Sequence, residues 1–243
     1  MYNFYPGPSR IYPAVRDFAR EAFESGILEK NHRSDDFMLL LKECIDLFKD
    51  RLNVPAGYKV FFTSSATECW EICAQSFLKD TLFYYNGAFG EKWKEYTGRI
   101  TGRAEAYAFD IQEEPAVPAS GGKDVALVAN ETSNGTSLSP GMIRKIRAET
   151  GGLLLIDAVS SLGGGDYDIS QGDFWISSSQ KCLGLPSGMG IMMVSPAALQ
   201  RARELDDRRY YNSALFIESN FDRLQTPYTP NILAVYLLKR LLE

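Results

Sequence analysis

An acidic side chain and a lysine each follow an apolar segment of this chain, and both have the chemistry of a reactive site. Asp157 ends the apolar run 152–157, where a carboxylate is costly unless a cation or strong donor faces it, so we expect a positive partner. Lys181 follows the run 173–178 and precedes a Gly- and Pro-rich turn, which could desolvate its amine. Each residue alone is more often a turn or surface residue, but together they suit a pyridine cofactor. Lys181 would bond to its aldehyde, and Asp157 would keep its ring nitrogen protonated.

Three further turns after apolar segments contain groups that could hold the rest of such a cofactor. Residues 63–68 lead into a helical segment, whose first amides could bind phosphate, although an ordinary Ser/Thr cap explains this turn equally well. Phe89 could stack on a flat ring, but such a phenylalanine is more often part of the core. The Thr132 hydroxyl could bond to a phenolic oxygen, and a plain Asn-Gly turn is the competing interpretation.

Apolar spacing predicts the helices and strands that must position these residues. Helical spacing occurs at 14–24 and 34–52, and Ser34 is a suitable N-cap for the second helix. Short apolar runs predict strands at 58–63, 81–85, 124–129, 152–157, 173–178 and 189–194, with helices at 66–79, from about 89, and at 140–149. Such runs indicate a mainly parallel sheet with helices on both faces, in which ligands lie at the carboxyl ends of strands. Residues 6–9 predict an extended arm, and 231–243 an amphipathic helix.

Composition excludes several classes of function. The chain has 243 residues, of which 45% are hydrophobic, enough for one sizeable core. Thirty-one acidic against 26 basic residues argue against nucleic-acid or anionic-membrane partners. No apolar run approaches a bilayer span, and the first residues lack the layout of a secretion signal, so we expect a cytoplasmic enzyme. One histidine and unpaired cysteine spacing argue against a metal site and favour reduced thiols.

Five motifs occur in a characteristic order along the chain. They read SSATE, NGAFGEKW, NETSNGT, LLIDAVSSLGG and SSSQKCLGLPSGMG. This ordered set resembles the pyridoxal-phosphate enzymes of the class V aminotransferase group, which have fold type I, and most closely the phosphoserine and alanine–glyoxylate aminotransferases. The resemblance implies an α/β fold with a mainly parallel seven-stranded sheet flanked by helices, and pyridoxal 5′-phosphate as the cofactor.

The resemblance also implies roles for individual residues. Lys181 would be the Schiff-base lysine that also moves the substrate's α-proton, and Asp157 the partner of the ring nitrogen. The remaining cofactor contacts would be the phosphate turn, the residue beside the lysine, the ring-stacking and phenolic-oxygen residues, and a segment from the neighbouring subunit: Ser65, Ala66, Thr67, Gln180, Phe89, Thr132, Gln225 and Thr226. His32 and Arg33 resemble a pair that holds a substrate phosphate across a dimer, with a structural role at the start of a helix as the alternative.

The implied activity is transfer of an amino group between an amino acid and a 2-oxo acid, with a phosphoserine- or alanine/serine-type substrate. The implied assembly is a homodimer with shared active sites. A lyase or desulfurase-like enzyme of the same fold is one alternative. A catalytically impaired, cofactor-binding scaffold or subunit is another.

The resemblance divides the chain into an N-terminal arm and helix over 1–30 and a cofactor-binding large domain over 31–243. The small domain that follows in relatives, and holds the substrate carboxylate with an arginine, is expected to be absent. We consider three explanations: a shortened or split enzyme whose separate chain supplies that domain, a reduced enzyme that recruits another arginine (Arg10, Arg33 or Arg223), or a cofactor binder without efficient turnover. The apolar face of the last helix favours the first, because that face should require a partner.

Overall fold

Strands and helices alternate along most of the chain in the computed structural model, which describes residues 5–113 and 115–243. The strands are β1 (Lys59–Thr63), β2 (Thr81–Tyr85), β3 (Glu105–Ala108), β4 (Asp124–Val128), β5 (Asn130–Glu131), β6 (Thr136–Ser137), β7 (Leu154–Asp157), β8 (Phe174–Ser178) and β9 (Gly190–Val194). The α-helices are α1 (Val15–Glu24), α2 (Asp35–Arg51), α3 (Ala66–Ser76), α4 (Ala88–Thr101), α5 (Pro140–Glu149), α6 (Pro196–Leu205), α7 (Ala214–Phe221) and α8 (Ile232–Leu242). Residues 1–4 of the predicted N-terminal arm lie outside the described residues.

Seven strands form one sheet in the order β1-β9-β8-β7-β4-β2-β3. The five strands from β8 to β3 are parallel, and β9 is antiparallel to both of its neighbours. The predicted α/β fold with a mainly parallel, seven-stranded sheet is therefore confirmed. The apolar runs did not predict β3, because all four of its residues are exposed at the edge of the sheet.

The strand directions place the predicted site residues at one edge of the sheet. Because β1 and β8 both run antiparallel to β9, they run in the same direction as each other. Thr63 at the end of β1 and Ser178 at the end of β8 both pair with Gly190. Asp157 at the end of β7 pairs with Val128 at the end of β4. The turns that follow these strands therefore share one edge, where ligands bind in sheets of this type.

Helices α3, α4 and α7 pack on the faces of the sheet. α3 contacts β8 and β9, α4 contacts β2 and β4, and α7 contacts β1. The strands β4, β7, β8 and β9 are buried along their whole length, which explains their continuous apolar sequences. Among the described residues, no helix has the length and apolar character needed to cross a membrane.

Helix α2 begins at the predicted residue. Ser34 is its N-cap, and its hydroxyl oxygen accepts a hydrogen bond from the Phe37 amide. The same serine cap starts α5 and α6, each of which carries proline at its first position, where a missing amide proton costs nothing.

The terminal helix α8 is covered by helices of its own chain. It packs against α1 and α2, and Val235, Leu237 and Leu238 are buried. The Lys239 ammonium lies 2.8 Å from Glu43 on α2. The prediction that the apolar face of this helix requires another chain is therefore wrong, because the sequence pattern did not show that α1 and α2 would cover it.

A buried ion pair lies at the opposite, amino-terminal edge of the sheet. The Asp124 side chain, 3% exposed, begins β4 and accepts a hydrogen bond from Arg201 on α6 at 2.9 Å. It also accepts a hydrogen bond from the Leu153 amide at 2.8 Å. This pair joins α6 to the centre of the sheet, at the end of the strands opposite to the predicted site residues.

We expect Arg201→Ala to lower the free energy of unfolding by about 3–5 kcal/mol, because it leaves the Asp124 carboxylate buried without its cation. Urea unfolding measures this change. The control is Lys42→Ala, which breaks an exposed i,i+4 pair with Asp46 and should cost less than ~1 kcal/mol. Equal effects of the two substitutions would contradict a structural role for the buried pair.

Candidate active site

Asp157 lies buried at the end of the central strand β7 and is bound by two neutral donors. Its Oδ2 accepts a hydrogen bond from Trp70 Nε1 at 2.8 Å, and its Oδ1 accepts one from the Val159 amide at 2.9 Å. Among the described residues no cation forms an ion pair with Asp157, so the positive partner expected from the sequence stays a prediction. Burial raises the pKa of Asp157 to about 6; the two hydrogen bonds oppose this shift, as does the charge of Lys181, while that of Glu131 adds to it.

Lys181 follows β8 and is held by the amino-terminal arm. Its Nζ donates a hydrogen bond to the Pro6 carbonyl at 2.8 Å. The Ser9 hydroxyl donates to the Lys181 carbonyl at 2.6 Å, and the Ser9 amide donates to the Gln180 carbonyl at 2.8 Å. Gly7 has a φ of +136°, which disfavours any other residue, and a Cβ there would also meet the end of the Lys181 side chain. The described arm lacks regular structure, as predicted, and gives the amine a neutral acceptor.

The predicted phosphate turn forms the start of α3. Ser65 is the N-cap, and its hydroxyl oxygen accepts a hydrogen bond from the Glu68 amide at 3.1 Å. The Glu68 carboxylate accepts hydrogen bonds from the amide and hydroxyl of Ser64, which therefore are not free for an anion. The amides of Ala66 and Thr67 lie in the first turn and have no acceptor within the helix. The open donors thus belong to the residues that the sequence predicted.

A glycine on β9 allows this turn to lie close to the sheet. A Cβ on Gly190 would clash with the Ser65 carbonyl and with the Thr63 hydroxyl. That hydroxyl donates a hydrogen bond to the same carbonyl at 3.0 Å. Ser178, which pairs with this glycine, is 1% exposed, and its hydroxyl has no partner among the described residues.

Phe89 lies at the start of α4 and is 39% exposed, as a surface for a flat ring requires. Glu131, 2% exposed, fixes this helix start, because its carboxylate accepts hydrogen bonds from the amides of Phe89 and Gly90 at 3.4 and 3.2 Å. The same carboxylate accepts a hydrogen bond from the Ser133 hydroxyl at 2.6 Å. Glu131 has no role in the prediction from the sequence. Its position as an acidic residue within the NETSNGT motif, directly after a buried strand, is the feature that could have indicated one.

Thr132 is joined to the turn after β7. Its hydroxyl shares a hydrogen bond with the Ser160 hydroxyl. The Ser160 carbonyl accepts a hydrogen bond from the Cys182 thiol at 3.1 Å, next to Lys181. The three turns that follow β4, β7 and β8 are therefore linked to one another, and Ser160 is a second member of the site to which the sequence analysis gave no role.

Gln225 and Thr226 do not meet the lysine within the chain. Thr226 is 2% exposed, and its hydroxyl donates a hydrogen bond to the Tyr228 carbonyl at 2.6 Å. It lines a small cavity of about 110 Å³ together with Thr63. The Gln225 amide lies 3.9 Å from the Met38 sulfur on α2.

His32 and Arg33 lie in the turn before α2, on the same side as Gln225. His32 is half-buried, and its Nε2 has no hydrogen-bond partner within the described part of the chain. Burial, followed by the charge of Arg33, lowers the pKa of His32. The Arg33 side chain is exposed, and among the described residues neither side chain hydrogen-bonds to the strand ends.

The groups at the carboxyl edge fit a flat, anionic pyridine cofactor. Asp157 offers a buried negative charge without a cation, and Lys181 an amine with only a carbonyl acceptor. The first turn of α3 offers free amides, and Phe89 offers an exposed ring. A cavity of about 660 Å³ lies elsewhere, between α3, α4 and residues 205–210, and contains none of these groups.

Comparison with known proteins places the chain near pyridoxal-phosphate enzymes. The family model described as aminotransferase class-V matches residues 105–243. The crystal structure of a phosphoserine aminotransferase from Cytophaga hutchinsonii superposes with a TM-score of 0.91, at 30% identity, over 98% of this chain and 68% of that one. An aspartate aminotransferase from Thermus thermophilus has a TM-score of 0.82 at 25% identity over 98% and 68%.

Curated relatives are similar along the whole chain but are longer. An uncharacterised aminotransferase of Methanocaldococcus jannaschii is 29% identical, over 98% of this chain and 64% of the relative. A phosphoserine aminotransferase of a Nocardioides species is 27% identical, over 99% of this chain and 66% of the relative. The chain therefore spans slightly less than two thirds of the length of these relatives.

We expect Asp157→Asn to change how stability depends on pH. The raised pKa means that the protonated acid stabilises the fold: this contribution is complete below 3.8 and is lost as the pH rises through about 6. The unfolding free energy of the original protein minus that of Asp157→Asn should therefore fall by ~3 kcal/mol across this window. Urea unfolding of the cofactor-free proteins measures it. Asp46→Asn, at an exposed site, is the control, and a pH-independent difference for Asp157→Asn would contradict the buried-acid interpretation.

We expect Gly190→Ala to push the phosphate turn away from β9, because the added methyl group has no space. The free energy of unfolding should fall by about 1–3 kcal/mol, as measured by urea titration. Gly141→Ala is the matched control, since its Cβ would meet the Ser139 hydroxyl at an ordinary 3.7 Å. An unchanged stability for Gly190→Ala would show that the turn does not depend on this close approach.

Proposed function

Because the chain belongs to the class V aminotransferases, we propose that it is an aminotransferase that moves an amino group between an amino acid and a 2-oxo acid. The cofactor of this family is pyridoxal 5′-phosphate. The observation that carries the proposal is the placement of Lys181 and Asp157 after neighbouring parallel strands, at the edge where such sheets bind ligands. An amine and a buried acid at this edge are the two groups that the chemistry needs.

Lys181 is the proposed catalytic residue. When bound, pyridoxal phosphate supplies an aldehyde that condenses with amines and a ring that takes up the electrons of a broken Cα–H bond. The Lys181 Nζ is the atom that holds the cofactor and that takes up and returns the α-proton of the substrate. Among the described residues it forms no ion pair, and its Nζ donates a hydrogen bond to the Pro6 carbonyl.

Asp157 is the proposed partner of the protonated ring nitrogen. Its carboxylate is buried with two neutral donors only, and it would gain a cation from the cofactor. A buried negative charge holds a neighbouring proton strongly, because the local dielectric constant is low. The acid thus keeps the proton on the ring nitrogen during the reaction.

The phosphate contacts are proposed at the start of α3. Ser65, Ala66 and Thr67 bind the phosphate through this first turn, with Gln180 beside them. The partial positive charge at the start of a helix favours an anion at the same place.

The contacts with the cofactor ring are proposed from two other turns at this edge. The exposed ring of Phe89 stacks on the cofactor, and the hydroxyl of Thr132 bonds to its phenolic oxygen. Residues 1–30 contribute the arm that contacts Lys181, and all other groups come from 31–243.

A homodimer with shared sites completes the proposal. His32 and Arg33 bind the anionic group of the substrate, and Gln225 and Thr226 the cofactor phosphate, each in the site of a second copy. The support is that within one chain these residues do not hydrogen-bond to the lysine, and that Gln225 lies against Met38 in the first turn of the helix that follows the His-Arg pair. The proposed amino donor is of the phosphoserine or alanine/serine type, and the similar phosphoserine aminotransferases support the first of these. The four unpaired cysteines favour a reducing, cytoplasmic compartment.

Covalent trapping tests the role of Lys181. Cofactor-free protein mixed with pyridoxal phosphate and reduced with borohydride should carry one phosphopyridoxyl group on the peptide that contains Lys181, as read by mass spectrometry. Lys181→Ala should lose this label, and Lys92→Ala, at an exposed position of α4, should keep it. A label spread over surface lysines and unaffected by Lys181→Ala would refute the proposed site.

A panel of amino donors tests the activity. Phosphoserine, serine, alanine and glutamate are each incubated with the loaded protein, and release of the matching 2-oxo acid is measured. We expect at least one donor to react and Lys181→Ala to abolish the reaction, because the proton then has no acceptor. Labelling of Lys181 without oxo-acid release from any donor would favour a cofactor-binding scaffold over an aminotransferase.

A further inference from the structure

Two buried tryptophans lie stacked between α3 and α4, and only one of them contacts the candidate site. The rings of Trp70 and Trp93 are nearly parallel, at 10°, with centroids 6.1 Å apart. The Trp70 Nε1 donates a hydrogen bond to Asp157 at 2.8 Å. The Trp93 Nε1 is equally buried but has no hydrogen-bond partner in the described part of the chain. Of the two indole N–H groups, only that of Trp70 therefore has an acceptor among the described residues.

The contact with Trp70 acts on a carboxylate that has no cation. The Asp157 oxygens each accept one hydrogen bond, Oδ2 from the indole and Oδ1 from the Val159 amide, so the plane of the carboxylate is held at both ends. A donor to an ionised group favours its charged form. Without the indole, the Val159 amide would be the one hydrogen bond left to offset burial, beside the charge of Lys181.

The charged and titratable groups around Asp157 come from several elements. Glu131, at β5, disfavours its ionisation, and Lys181, after β8, favours it. The Cys69 thiol, on α3, also lies within electrostatic range. Neither Glu131 nor Lys181 hydrogen-bonds to the carboxylate in the described structure, so Trp70 is the side chain that does.

The position of Trp70 is firmly determined by its surroundings. It is 6% exposed, and its stacking partner Trp93 meets Phe83 of β2 edge-to-face at 5.6 Å. It lies one helical turn after Thr67, so a single helix carries both the predicted phosphate turn and the donor to Asp157. The helix therefore fixes the distance between the predicted phosphate turn and the donor to Asp157.

We propose that Trp70 is a positioning residue of the cofactor site, whose indole N–H holds the Asp157 carboxylate ionised and in one orientation before the cofactor binds. This inference rests on the assignment of Asp157 as the partner of the ring nitrogen under "Proposed function". A phenylalanine at position 70 would keep the stacking on Trp93 but remove the donor. Binding of the cofactor would then first require ionisation of a less acidic carboxyl group.

The first test measures the titration of Asp157 in the cofactor-free protein. Its carboxyl ¹³C signal, assigned with Asp157→Asn, is followed against pH in three proteins: the original chain, Trp70→Phe and Trp93→Phe. We expect Trp70→Phe to raise the pKa of Asp157 by about one unit, a tenfold change in its protonation equilibrium. Trp93→Phe, which removes an indole without a partner, should leave this pKa unchanged. An unchanged pKa in Trp70→Phe, or equal shifts in both variants, would overturn the proposal.

The original protein offers a second measurement that does not depend on the folding of any variant. The indole ¹H–¹⁵N signal of Trp70 should move with the midpoint of the Asp157 titration, and that of Trp93 should not. A Trp70 signal that does not respond to this titration would overturn the contact.

The affinity for pyridoxal phosphate tests the consequence for the cofactor. Below the shifted pKa, Trp70→Phe should bind it several-fold more weakly than Trp93→Phe, and the two should converge at higher pH, where the acid is ionised in both. A shift in pKa without a pH-dependent loss of affinity would overturn the positioning role. No binding to the original protein would refute the proposed function itself, and the two titrations would still decide whether Trp70 controls Asp157.

Discussion

The negative charge of Asp157, buried at the end of the central strand without a cation, is the constraint on which the site depends. Burial of a charge is costly, and the chain offsets only part of this cost with the Trp70 indole and the Val159 amide. The protein alone therefore carries an incomplete ion pair in its interior. In the proposed function, a ligand with a protonated nitrogen completes this pair.

A second buried carboxylate organises the opposite side of the site by a different means. Glu131 accepts hydrogen bonds from the amides in the first turn of α4 and from the Ser133 hydroxyl. The same carboxylate therefore fixes the helix start that carries Phe89 and the turn that contains Thr132. The partial positive charge of a helix start offsets its charge locally. The chain thus compensates Glu131 with a helix start and a hydroxyl, and gives Asp157 one indole and one amide donor.

Much of the architecture could be predicted from the sequence, because the central strands are continuous apolar runs. The turns that follow parallel strands also lie at one edge of the sheet. The placement of Asp157 and Lys181 followed from this rule. β3 could not be predicted, since an exposed edge strand has no apolar run. Trp70 was missed because a helical tryptophan reads as core, and its contact with a distant strand end exists only in the folded chain. The cover over α8 was missed for the same reason.

Helix α3 sets the spacing between the phosphate turn and the donor to the buried acid. An α-helix advances about 1.5 Å and rotates about 100° for each residue. One extra residue between Thr67 and Trp70 would swing the indole to another face of the helix and take it away from Asp157. The length of this segment is therefore constrained from both ends of the cofactor site, because an insertion or deletion would change the register between them.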